Sequence, residues 1–364
     1  MSAQPDLLAP HDPVGAAVSA LRAGRPVLVA DAGDRENEYD VVLPAALAEP
    51  RWTAWAVRYS SGLLCAPMSG ERADALGLPP MVRRNQDPRG TAYTVSVDAA
   101  SGISTGISAR DRARTAQVLA APDSRPSDLV RPGHVLPLRA RAGGVVERPG
   151  HTEAGVDLCR LAGLPPVALI AELVTDSGMA GIADAALLGA QHDLTVLTIA
   201  DLVAHRLRHG DGERARVTRA AATRLPTEHG VFDALGYRDE VTGAEHMALL
   251  GARTASRPLV AVHRECLLGD VMGSMACDCA RRFAQDAAVI ARDGGVLLYL
   301  RRPDARALDP HGLTPADAGA AAAMLAELGH TAVRLLPGSA TPASLAGPDL
   351  SVVDADRRGL LRPA

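Results

Sequence analysis

Apolar residues recur along the chain at two spacings, which predict helices and strands in alternation. A helical spacing, often ending at a Gly, predicts helices over residues 14–24, 109–121, 151–164, 184–193, 279–295 and 314–329. Short apolar runs between Gly- and Pro-rich loops predict strands over 26–33, 41–46, 61–67, 91–99, 166–175, 258–266 and 294–302. Residues 194–210 predict a strand followed by a helix. Such alternation is typical of an α/β or α+β fold.

A highly charged stretch from Arg206 to Arg219 interrupts this pattern and holds no sustained apolar spacing. A length of 364 residues suits two domains of roughly 150 residues each, so we predict a domain boundary in this stretch. The full prediction is a flexible leader, a first domain, a linker, a second domain and a partly ordered tail, over residues 1–13, 14–210, 211–220, 221–336 and 337–364.

Composition excludes several classes of protein. Hydrophobic residues make up 47% of the chain and charged residues 22%, which is typical of a packed globular protein. The formal net charge of −4 gives no sign of a basic face for nucleic acid. All 38 basic residues are Arg, so no lysine is available for a Schiff base or a Walker-type phosphate site.

Cellular location is predicted from features that the sequence lacks. The first residues, MSAQPDLLAPHDP, are polar and proline-rich, unlike a secretory signal, and no apolar run reaches the about 18 residues of a membrane helix. Five cysteines, an odd number, argue against a fully paired disulfide framework. We therefore expect a cytoplasmic protein without a membrane partner.

A short segment after the first predicted strand crowds several acids around Arg35. The acids are Asp31, Asp34, Glu36, Glu38 and Asp40. In an extended chain the last three would share one face. Carboxylates held together repel unless a proton or a cation lies between them, and Mg²⁺ takes oxygen ligands of this kind. The alternative is a solvated acidic turn.

Two Arg-Pro-Gly-His sequences, at 131–134 and 148–151, predict a site for an anion. Gly-His-Thr immediately before a helix offers backbone N–H groups and the hydroxyl of Thr152, and Arg148 adds donors for a phosphate. His151 is then a candidate metal ligand and His134 a candidate acid or base. The alternative for each histidine is a polar surface residue.

Three further polar sites each have a structural alternative. Glu172 lies within an apolar strand, where a carboxylate must be paired, bound to metal or shifted in pKa, unless it points to water from an edge strand. Cys65 is either a site residue or a small core residue. The segment 104–106, Ser-Thr-Gly, either binds phosphate or caps the next helix.

Before the predicted boundary, a series of motifs occurs in order: DRENEYD, SGLLCAP, GLPPMV, GTAYTVSVDA, STGISARDRART, RPGHVLPLRARAGGV and RPGHTEAGVDLCRLAGL. In these motifs the chain resembles 3,4-dihydroxy-2-butanone 4-phosphate synthase, a riboflavin-pathway enzyme. The resemblance implies a mixed-sheet α/β sandwich that converts ribulose 5-phosphate to 3,4-dihydroxy-2-butanone 4-phosphate and formate with Mg²⁺ or Mn²⁺. It also implies a homodimer through this domain, with the sites near the interface.

The resemblance further implies roles for individual residues. Glu36 and His151 match the family's metal ligands. Substrate and phosphate contacts are matched by Arg35, Asp40, Thr105, Arg148, Pro149, Gly150, His151 and Thr152. Catalytic positions are matched by Asp31, Glu38, Cys65, His134 and Glu172. Such a set fits an enolisation and a dehydration, which need a base, an acid and a metal that holds the developing oxyanion.

Two departures from the family pattern concern the acid-rich segment. Tyr39 stands where the family has Gly, so it is expected to strain the loop, fill part of the pocket or add a hydroxyl. The family's acidic run before DRENE is reduced to Ala32 and Gly33. Because the matched site residues are all present, we predict a competent synthase. The alternatives are a paralogue with a different product and a non-catalytic sugar-phosphate-binding relative.

Three cysteines of the second predicted domain have the spacing of a metal site. Cys266, Cys277 and Cys279 follow the pattern Cys-x10-Cys-x-Cys, which suits Zn²⁺ with an open fourth position. The alternative is a set of free thiols after loss of zinc. The segments PTEHGVFDALGYRD, GAEHMALL, VHRECLLGD and CDC resemble GTP cyclohydrolase II, which is commonly fused behind the synthase.

This second resemblance fails after about Leu300. The family's Gln-Glu-Gly-Arg corresponds to 302–306, the Arg expected before VHREC is Ala261, and Asn-Asn-Pro-Lys has become PGSATP. The residues that would carry a catalytic Arg and Asp, a Tyr and several guanine contacts are missing. The resemblance thus implies a smaller, degenerate α/β domain without GTP cyclohydrolase activity that stabilises, oligomerises or regulates the synthase. A bifunctional enzyme is the alternative.

Overall fold

The structure is a computed structural model that describes residues 12–31, 35–176, 178–210, 215–253, 255–302, 312–338, 340–346 and 350–355. These residues form two compact units, one up to Arg206 and the other from Leu207 onward, so the last three residues of a helix that is described below with the first unit fall in the second. Most of the predicted leader lies outside the described residues, and Pro13 already begins the first helix. Asp12 caps that helix by accepting a hydrogen bond from the N–H of Gly15 at 2.9 Å.

The first unit alternates helices with strands. Its helices are α1 (Pro13–Arg22), α2 (Pro50–Tyr59), α3 (Gly70–Ala75), α4 (Ala109–Ala120), α5 (His151–Leu161), α6 (Ile182–His192) and α7 (Ile199–His209). Its strands are β1 (Val27–Ala30), β2 (Tyr39–Pro44), β3 (Cys65–Ser69), β4 (Val97–Ala99), β5 (Leu129–Ala140), β6 (Ala168–Glu172), β7 (Val174–Thr175), β8 (Gly178–Met179) and β9 (Thr195–Thr198).

Seven of these strands form one mixed sheet in the order β4-β5-β3-β6-β2-β1-β9. Neighbouring strands are antiparallel except β3 with β5 and β1 with β9. Strand β1 is buried on both faces: Val27 and Val29 join one apolar cluster, whereas Leu28 and Ala30 join another. Helices α1, α5 and α7 contribute to the cluster that contains Val27 and Val29. Helices α2 and α4 contribute to the cluster that contains Leu28 and Ala30. The predicted mixed-sheet α/β sandwich is confirmed.

Helix α2 and strand β5 are not predicted by the apolar spacing. In α2, aromatic residues that favour strands occupy helical positions, because packing of Trp55 into the core outweighs local propensity. In β5, the Arg-Pro-Gly-His segment interrupts the apolar pattern, and the first half of the strand is largely exposed. Tertiary pairing with β3 and β4 therefore defines this strand.

The second unit is also α/β. Its strands are β10 (Val217–Thr227), β11 (Gly230–Asp239), β12 (Glu245–Leu250), β13 (Leu259–Arg264), β14 (Val296–Leu300), β15 (Ala332–Leu335) and β16 (Ser351–Asp354). Its helices are α8 (Cys279–Asp293), α9 (Pro315–Glu327) and α10 (Pro342–Leu345). The sheet has the order β10-β11-β12-β14-β13-β15-β16, with an apolar cluster on each face.

Two predicted boundaries of this unit differ from the structure. Strand β10 begins at Val217, so the last residues of the segment predicted as a linker belong to a strand; its side chains are mostly exposed and leave no apolar spacing to detect. Within the predicted tail, β16 pairs with β15 in parallel, while residues 347–349 and 356–364 lie outside the described part.

Among the described residues, no helix combines the length and apolar character needed to cross a bilayer.

Candidate active site

An open cavity lies in the first unit, where residues of β2, β3 and β6 face the start of α5. It brings together side chains that are distant in sequence. The lining residues are Arg35, Glu36, Glu38, Asp40, Leu63, Cys65, Thr91, Tyr93, Leu138, Arg148, His151, Thr152, Ile170, Ala171 and Glu172. Both predicted metal ligands, Glu36 and His151, are in this set.

The sheet register places two acids side by side in the cavity. Asp40 of β2 is paired with Glu172 of β6, and Cys65 of β3 is paired with Ile170. Strand β6 lies between β3 and β2, so Glu172 is not on an edge strand, although its side chain is exposed. Glu172 ends its strand at the mouth of the cavity, where its carboxyl stays exposed.

The acid-rich segment turns instead of extending. The carboxylate of Asp31 accepts hydrogen bonds from the N–H groups of Glu36 at 3.3 Å and Asn37 at 2.9 Å. Asn37 has a left-handed φ of 57°, a conformation that Asn tolerates better than most residues. The segment is therefore not extended between Arg35 and Glu38, and it is the turn that delivers three acids to one cavity.

Asp31 itself supports the turn from outside the cavity lining. Its buried carboxylate pairs with Nη1 of Arg35 at 2.7 Å, and Arg35 also pairs with Glu36. The remaining members of the predicted loop, Ala32, Gly33 and Asp34, lie outside the described residues.

Tyr39 does not enter the cavity. Side chains alternate along β2, so Asp40 faces the cavity while Tyr39 is buried in the apolar cluster that contains Leu28 and Trp55. Among the described residues other than glycine, only Asn37 and one residue distant from the site have a positive φ, so the backbone at Tyr39 is unstrained. The expectations that this tyrosine strains the loop or fills the pocket are wrong.

Crowding and burial shift the pKa of the cavity acids. Burial, followed by the charges of Glu38 and Glu36, raises the pKa of Asp40 well above its usual value. Burial and then Glu172 raise the pKa of Glu38, and burial and then Asp40 raise the pKa of Glu172. The buried Oδ1 of Asp40 has no hydrogen-bond partner among the described residues. A cation or a substrate hydroxyl in the cavity would supply that partner.

His151 has the geometry of a metal ligand. Its Nε2 lies 3.0 Å from the backbone oxygen of Val29, which can only accept, so Nε2 carries the proton. Nδ1 keeps its lone pair and lies 3.4 Å from Oδ1 of Asp40. Burial lowers the pKa of His151 and favours the neutral ring that binds metals. Metal-bound histidines commonly donate their second N–H to a carbonyl in this way, so the residues fit a divalent cation.

The start of α5 forms a cradle for an anion. The helix begins at His151, as the apolar spacing predicts, with Gly150 as its N-cap. A Cβ atom on Gly150 would lie 2.7 Å from Nη1 of Arg148 and 3.2 Å from Nη2 of Arg35. A larger residue here would displace the ends of these arginine side chains, so glycine keeps both guanidinium groups close to the first helical turn, where Nη1 of Arg148 also pairs with the buried carboxylate of Glu153 at 2.6 Å.

Five predicted site residues are absent from the residues that line the cavity: Asp31, Pro149 and Gly150, which are close in sequence to lining residues, and Thr105 and His134, which belong to another cluster. His134 lies in β5, where its Nδ1 is 2.7 Å from Oδ2 of Asp98 and its N–H donates to Oδ1 of Asp98 at 2.9 Å. Gly106 approaches this pair so closely that a Cβ atom on it would lie 2.7 Å from the His134 ring. Thr105 beside it is exposed, so these residues form a second polar cluster on this unit.

The segment 104–106 bonds to α4 without capping it. The N–H and hydroxyl of Ser104 and the N–H of Gly106 donate to the carboxylate of Asp111 in the first turn of α4. The N-cap is Ser108, whose hydroxyl accepts from the N–H of Asp111 at 3.1 Å.

Sequence reasoning missed several residues of the cavity, notably Thr91 and Tyr93, and a neighbouring arginine, Arg89. They lie in or beside the motif GTAYTVSVDA, which carries the resemblance but includes no acid or histidine facing the site. The position of this motif in the sequence is the only signal that points to these residues.

Cys65, which the sequence predicts as a candidate site residue, does line the cavity. Burial raises the pKa of its thiol to about 12, so the thiol remains protonated.

In the second unit, the three predicted cysteines come together. The Sγ atoms of Cys266, Cys277 and Cys279 all lie within 4.8 Å of one another, and those of the first two are 3.8 Å apart. A hydrogen bond from the N–H of Cys279 lowers the pKa of Cys277, which favours its thiolate, whereas burial raises the pKa of Cys279 to about 12. Three sulfur ligands at these separations fit a tetrahedral Zn²⁺ ion.

Comparison with known families gives a match to each unit. The profile of the family described as 3,4-dihydroxy-2-butanone 4-phosphate synthase matches residues 15–205, and that of GTP cyclohydrolase II matches residues 218–311. A relative from Salinispora arenicola named riboflavin biosynthesis protein RibBA is 52% identical over 296 residues, covering 80% of this chain and 70% of the relative. Its namesake from Nocardia farcinica is 47% identical over 303 residues, covering 82% and 72%.

Two solved structures are similar in fold. A crystal structure of 3,4-dihydroxy-2-butanone 4-phosphate synthase in complex with two magnesium ions has a TM-score of 0.53 and 47% identity, covering 55% of this chain and 100% of that chain. RibBX from A. baumannii, described as a two-domain 3,4-dihydroxy-2-butanone 4-phosphate synthase, has a TM-score of 0.65 and 32% identity, covering 94% and 99%.

Proposed function

The chain belongs to the 3,4-dihydroxy-2-butanone 4-phosphate synthase family of riboflavin biosynthesis, and we propose that its first unit converts ribulose 5-phosphate to 3,4-dihydroxy-2-butanone 4-phosphate and formate with Mg²⁺. The observation that carries this proposal is the convergence of Glu36, Asp40, His151 and Glu172 on one cavity beside Arg148. Acids of raised pKa, a neutral histidine and an anion cradle are the groups that isomerisation of a sugar phosphate requires.

Glu36 and His151 hold the divalent cation, either Mg²⁺ or Mn²⁺. Glu36 offers a carboxylate at the cavity wall, and His151 offers Nδ1. The ion supplies positive charge for the oxygen of an enolised sugar. A related synthase binds two magnesium ions, which supports this assignment.

Glu38 and Glu172 exchange protons with the sugar. A carboxyl group whose pKa is raised toward neutrality removes a proton as a carboxylate and returns one as an acid. Asp40, whose buried Oδ1 has no hydrogen-bond partner among the described residues, accepts a hydrogen bond from a substrate hydroxyl, and Cys65 borders the same space as a neutral thiol. Asp31 acts indirectly by holding the turn that carries Glu36.

The phosphate of the sugar binds at the start of α5. Arg148 and Arg35 approach Gly150 from two sides, and Thr152 lines the cavity in the first helical turn. Pro149 precedes Gly150 and restricts the backbone of the cradle. The arrangement leaves the reacting carbons of a five-carbon sugar near the acids.

His134 and Thr105 act in the cavity of a second copy of the chain, within a homodimer formed by the first unit. Both lie outside the cavity of their own chain, near apolar side chains that are exposed, among them Ile107 and Val130. Exposed apolar groups beside a polar cluster suit a contact between subunits. In this arrangement Asp98 orients the His134 ring toward the partner's substrate.

Mixing two inactive variants is expected to restore activity. In a heterodimer of Glu172→Gln and His134→Asn chains, one cavity carries both substitutions and the other carries neither. After subunit exchange we expect about a quarter of parental formate release, since half of the dimers are mixed and each has one intact site. Formate release is measured before and after exchange, and absence of recovery despite demonstrated exchange would show that His134 serves its own chain.

Incubation of the full chain with ribulose 5-phosphate and Mg²⁺ is expected to yield formate and a four-carbon ketose phosphate, and EDTA is expected to stop the reaction because Glu36 and His151 alone do not replace the cation. NMR of the products separates this reaction from formation of a different product and from binding without turnover. A different product, or none, contradicts the proposed function.

The second unit binds Zn²⁺ through Cys266, Cys277 and Cys279 and lacks GTP cyclohydrolase activity. Residues 302–306 and Ala261 depart from the family pattern, although 303–306 lie outside the described residues, and the resemblance implies that the catalytic groups and guanine contacts are missing. The match to a two-domain synthase over 94% of this chain supports a non-catalytic second unit. Relatives named RibBA favour the alternative, a bifunctional enzyme.

With GTP as the only substrate and Zn²⁺ present, we expect no release of pyrophosphate, because a metal-bound water cannot react with a nucleotide that is not positioned. The same preparation should release formate from ribulose 5-phosphate, which controls for folding. Measurement of bound zinc separates loss of catalysis from loss of metal. Sustained pyrophosphate release would establish the bifunctional alternative.

A further inference from the structure

Arg89 contacts three parts of the proposed site, although the family resemblance gives it no role. Its Nε lies 3.1 Å from Oε1 of Glu36, and its Nη2 donates to the backbone oxygen of Arg35. Its own backbone oxygen accepts a hydrogen bond from Nη2 of Arg148 at 3.3 Å. One residue thus joins the proposed metal ligand, the acid-rich turn and the phosphate cradle.

The two arginines that pair with Glu36 are held differently. Arg35 also pairs with Asp31 at 2.7 Å, and its side chain is largely buried. Arg89 pairs with no other acid in the part of the chain that the structure describes, and 42% of its side chain is exposed. Of the two guanidinium groups, that of Arg89 can therefore leave Glu36 at the smaller cost.

The backbone around Arg89 is fixed, so such a movement needs only the side chain. The carboxylate of Asp87 accepts the N–H of Thr91 at 2.6 Å, and Nδ2 of Asn85 donates to the backbone oxygen of Thr91 at 2.9 Å. Asn85 also accepts the N–H of Asp87 at 2.9 Å. This bonded loop keeps Arg89 beside the cavity that Thr91 lines.

We propose that Arg89 neutralises Glu36 until a divalent cation binds and then moves to the phosphate of the sugar beside Arg148. The cation and the guanidinium group compete for the same carboxylate, so binding of the metal releases the arginine. A guanidinium fork matches phosphate oxygens, and Arg148 is already within hydrogen-bond reach of the Arg89 backbone. The inference rests on the proposed function and adds a link between metal binding and substrate binding.

The test measures Mn²⁺ affinity by electron paramagnetic resonance on the full chain without substrate, and steady-state kinetics with ribulose 5-phosphate. Arg89→Ala is expected to bind Mn²⁺ roughly two- to fivefold more tightly, the range that a partly exposed ion pair supports. The same variant is expected to raise KM about tenfold through the lost phosphate contact, with kcat changed less than about threefold. Arg89→Lys keeps the positive charge but loses the fork of N–H donors. Its Mn²⁺ affinity and its KM should therefore lie between those of the parent and those of Arg89→Ala.

Arg84→Ala is the matched control, because Arg84 is an exposed arginine in the preceding part of the same loop. It should leave both the Mn²⁺ affinity and KM unchanged. Unchanged or weaker Mn²⁺ binding by Arg89→Ala would contradict the proposal that Arg89 and the cation compete for Glu36. An unchanged KM would contradict the proposal that Arg89 binds the phosphate of the sugar. If the parent chain itself neither binds Mn²⁺ nor turns over the sugar, the proposed function fails instead.

Discussion

Replacing Glu36 with glutamine is expected to reduce formate release from ribulose 5-phosphate by about 10²- to 10³-fold. Glutamine keeps the size of the side chain and removes its charge, so the loss would come from the cation. Without a carboxylate at this position, His151 is left as the only proposed ligand on the cavity wall. The charge that holds the oxygen of the enolised sugar is then lost.

The Glu36→Gln measurement needs a control for folding and one for charge. Glu71→Gln removes a similar charge from an exposed position in the first turn of α3 and should retain parental turnover. Mn²⁺ binding, followed without substrate, should be lost only in Glu36→Gln. Parental turnover by that variant at saturating Mg²⁺ would refute Glu36 as a metal ligand.

The sequence predicts those elements that are largely buried and therefore rich in apolar residues. Strand β1 is a continuous apolar run buried on both faces, and most residues of α5 are buried, so both segments stand out in the sequence. Strand β10 is almost entirely exposed and is held by its pairing with β11. No local pattern records such pairing, which is why its first residues were assigned to a linker.

A site residue can be predicted from the sequence only where its side chain is of a type that is unusual for the element in which it lies. Glu172 stands out because a carboxylate ends an apolar strand, and it does line the cavity. The direction in which Tyr39 points follows from strand alternation, but only once β2 is known to begin at that residue. The turn at Asn37 could not be foreseen, because it depends on hydrogen bonds to Asp31 that form only in the folded chain.

Arg89 shows a different limit of sequence reasoning. An arginine in a polar loop resembles any exposed arginine, and its contact with Glu36 joins two segments that are distant in sequence. Its proximity to the site is a property of the tertiary fold. The same holds for the separation of His134 from the cavity, which no motif indicates.

Removal of Asp157 is expected to destabilise the first unit by about 3–5 kcal/mol. Asp157 is fully buried in α5, accepts the N–H of Val145 at 2.9 Å and pairs with Arg206 of α7. In Asp157→Ala the guanidinium group of Arg206 remains buried beside an unfilled space. Because α5 begins at His151, loosening of this helix should also weaken the metal site.

The stability measurement can be confined to the first unit, since the two tryptophans of the chain, Trp52 and Trp55, both lie in α2. Denaturant unfolding followed by tryptophan fluorescence therefore reports this unit alone. Asp74→Ala, which removes the exposed partner of Arg139, is the matched control and should cost at most about 1 kcal/mol.

The double variant Asp157→Leu/Arg206→Met decides why the single variant is unstable. If the loss comes from burying the guanidinium charge of Arg206 without the carboxylate of Asp157, replacing both groups with apolar ones should recover most of the stability. If it comes instead from the lost hydrogen bond to Val145, the double variant should be as unstable as Asp157→Ala. The first outcome is expected, because the interaction between the two buried charges exceeds that of a single hydrogen bond to a neutral N–H.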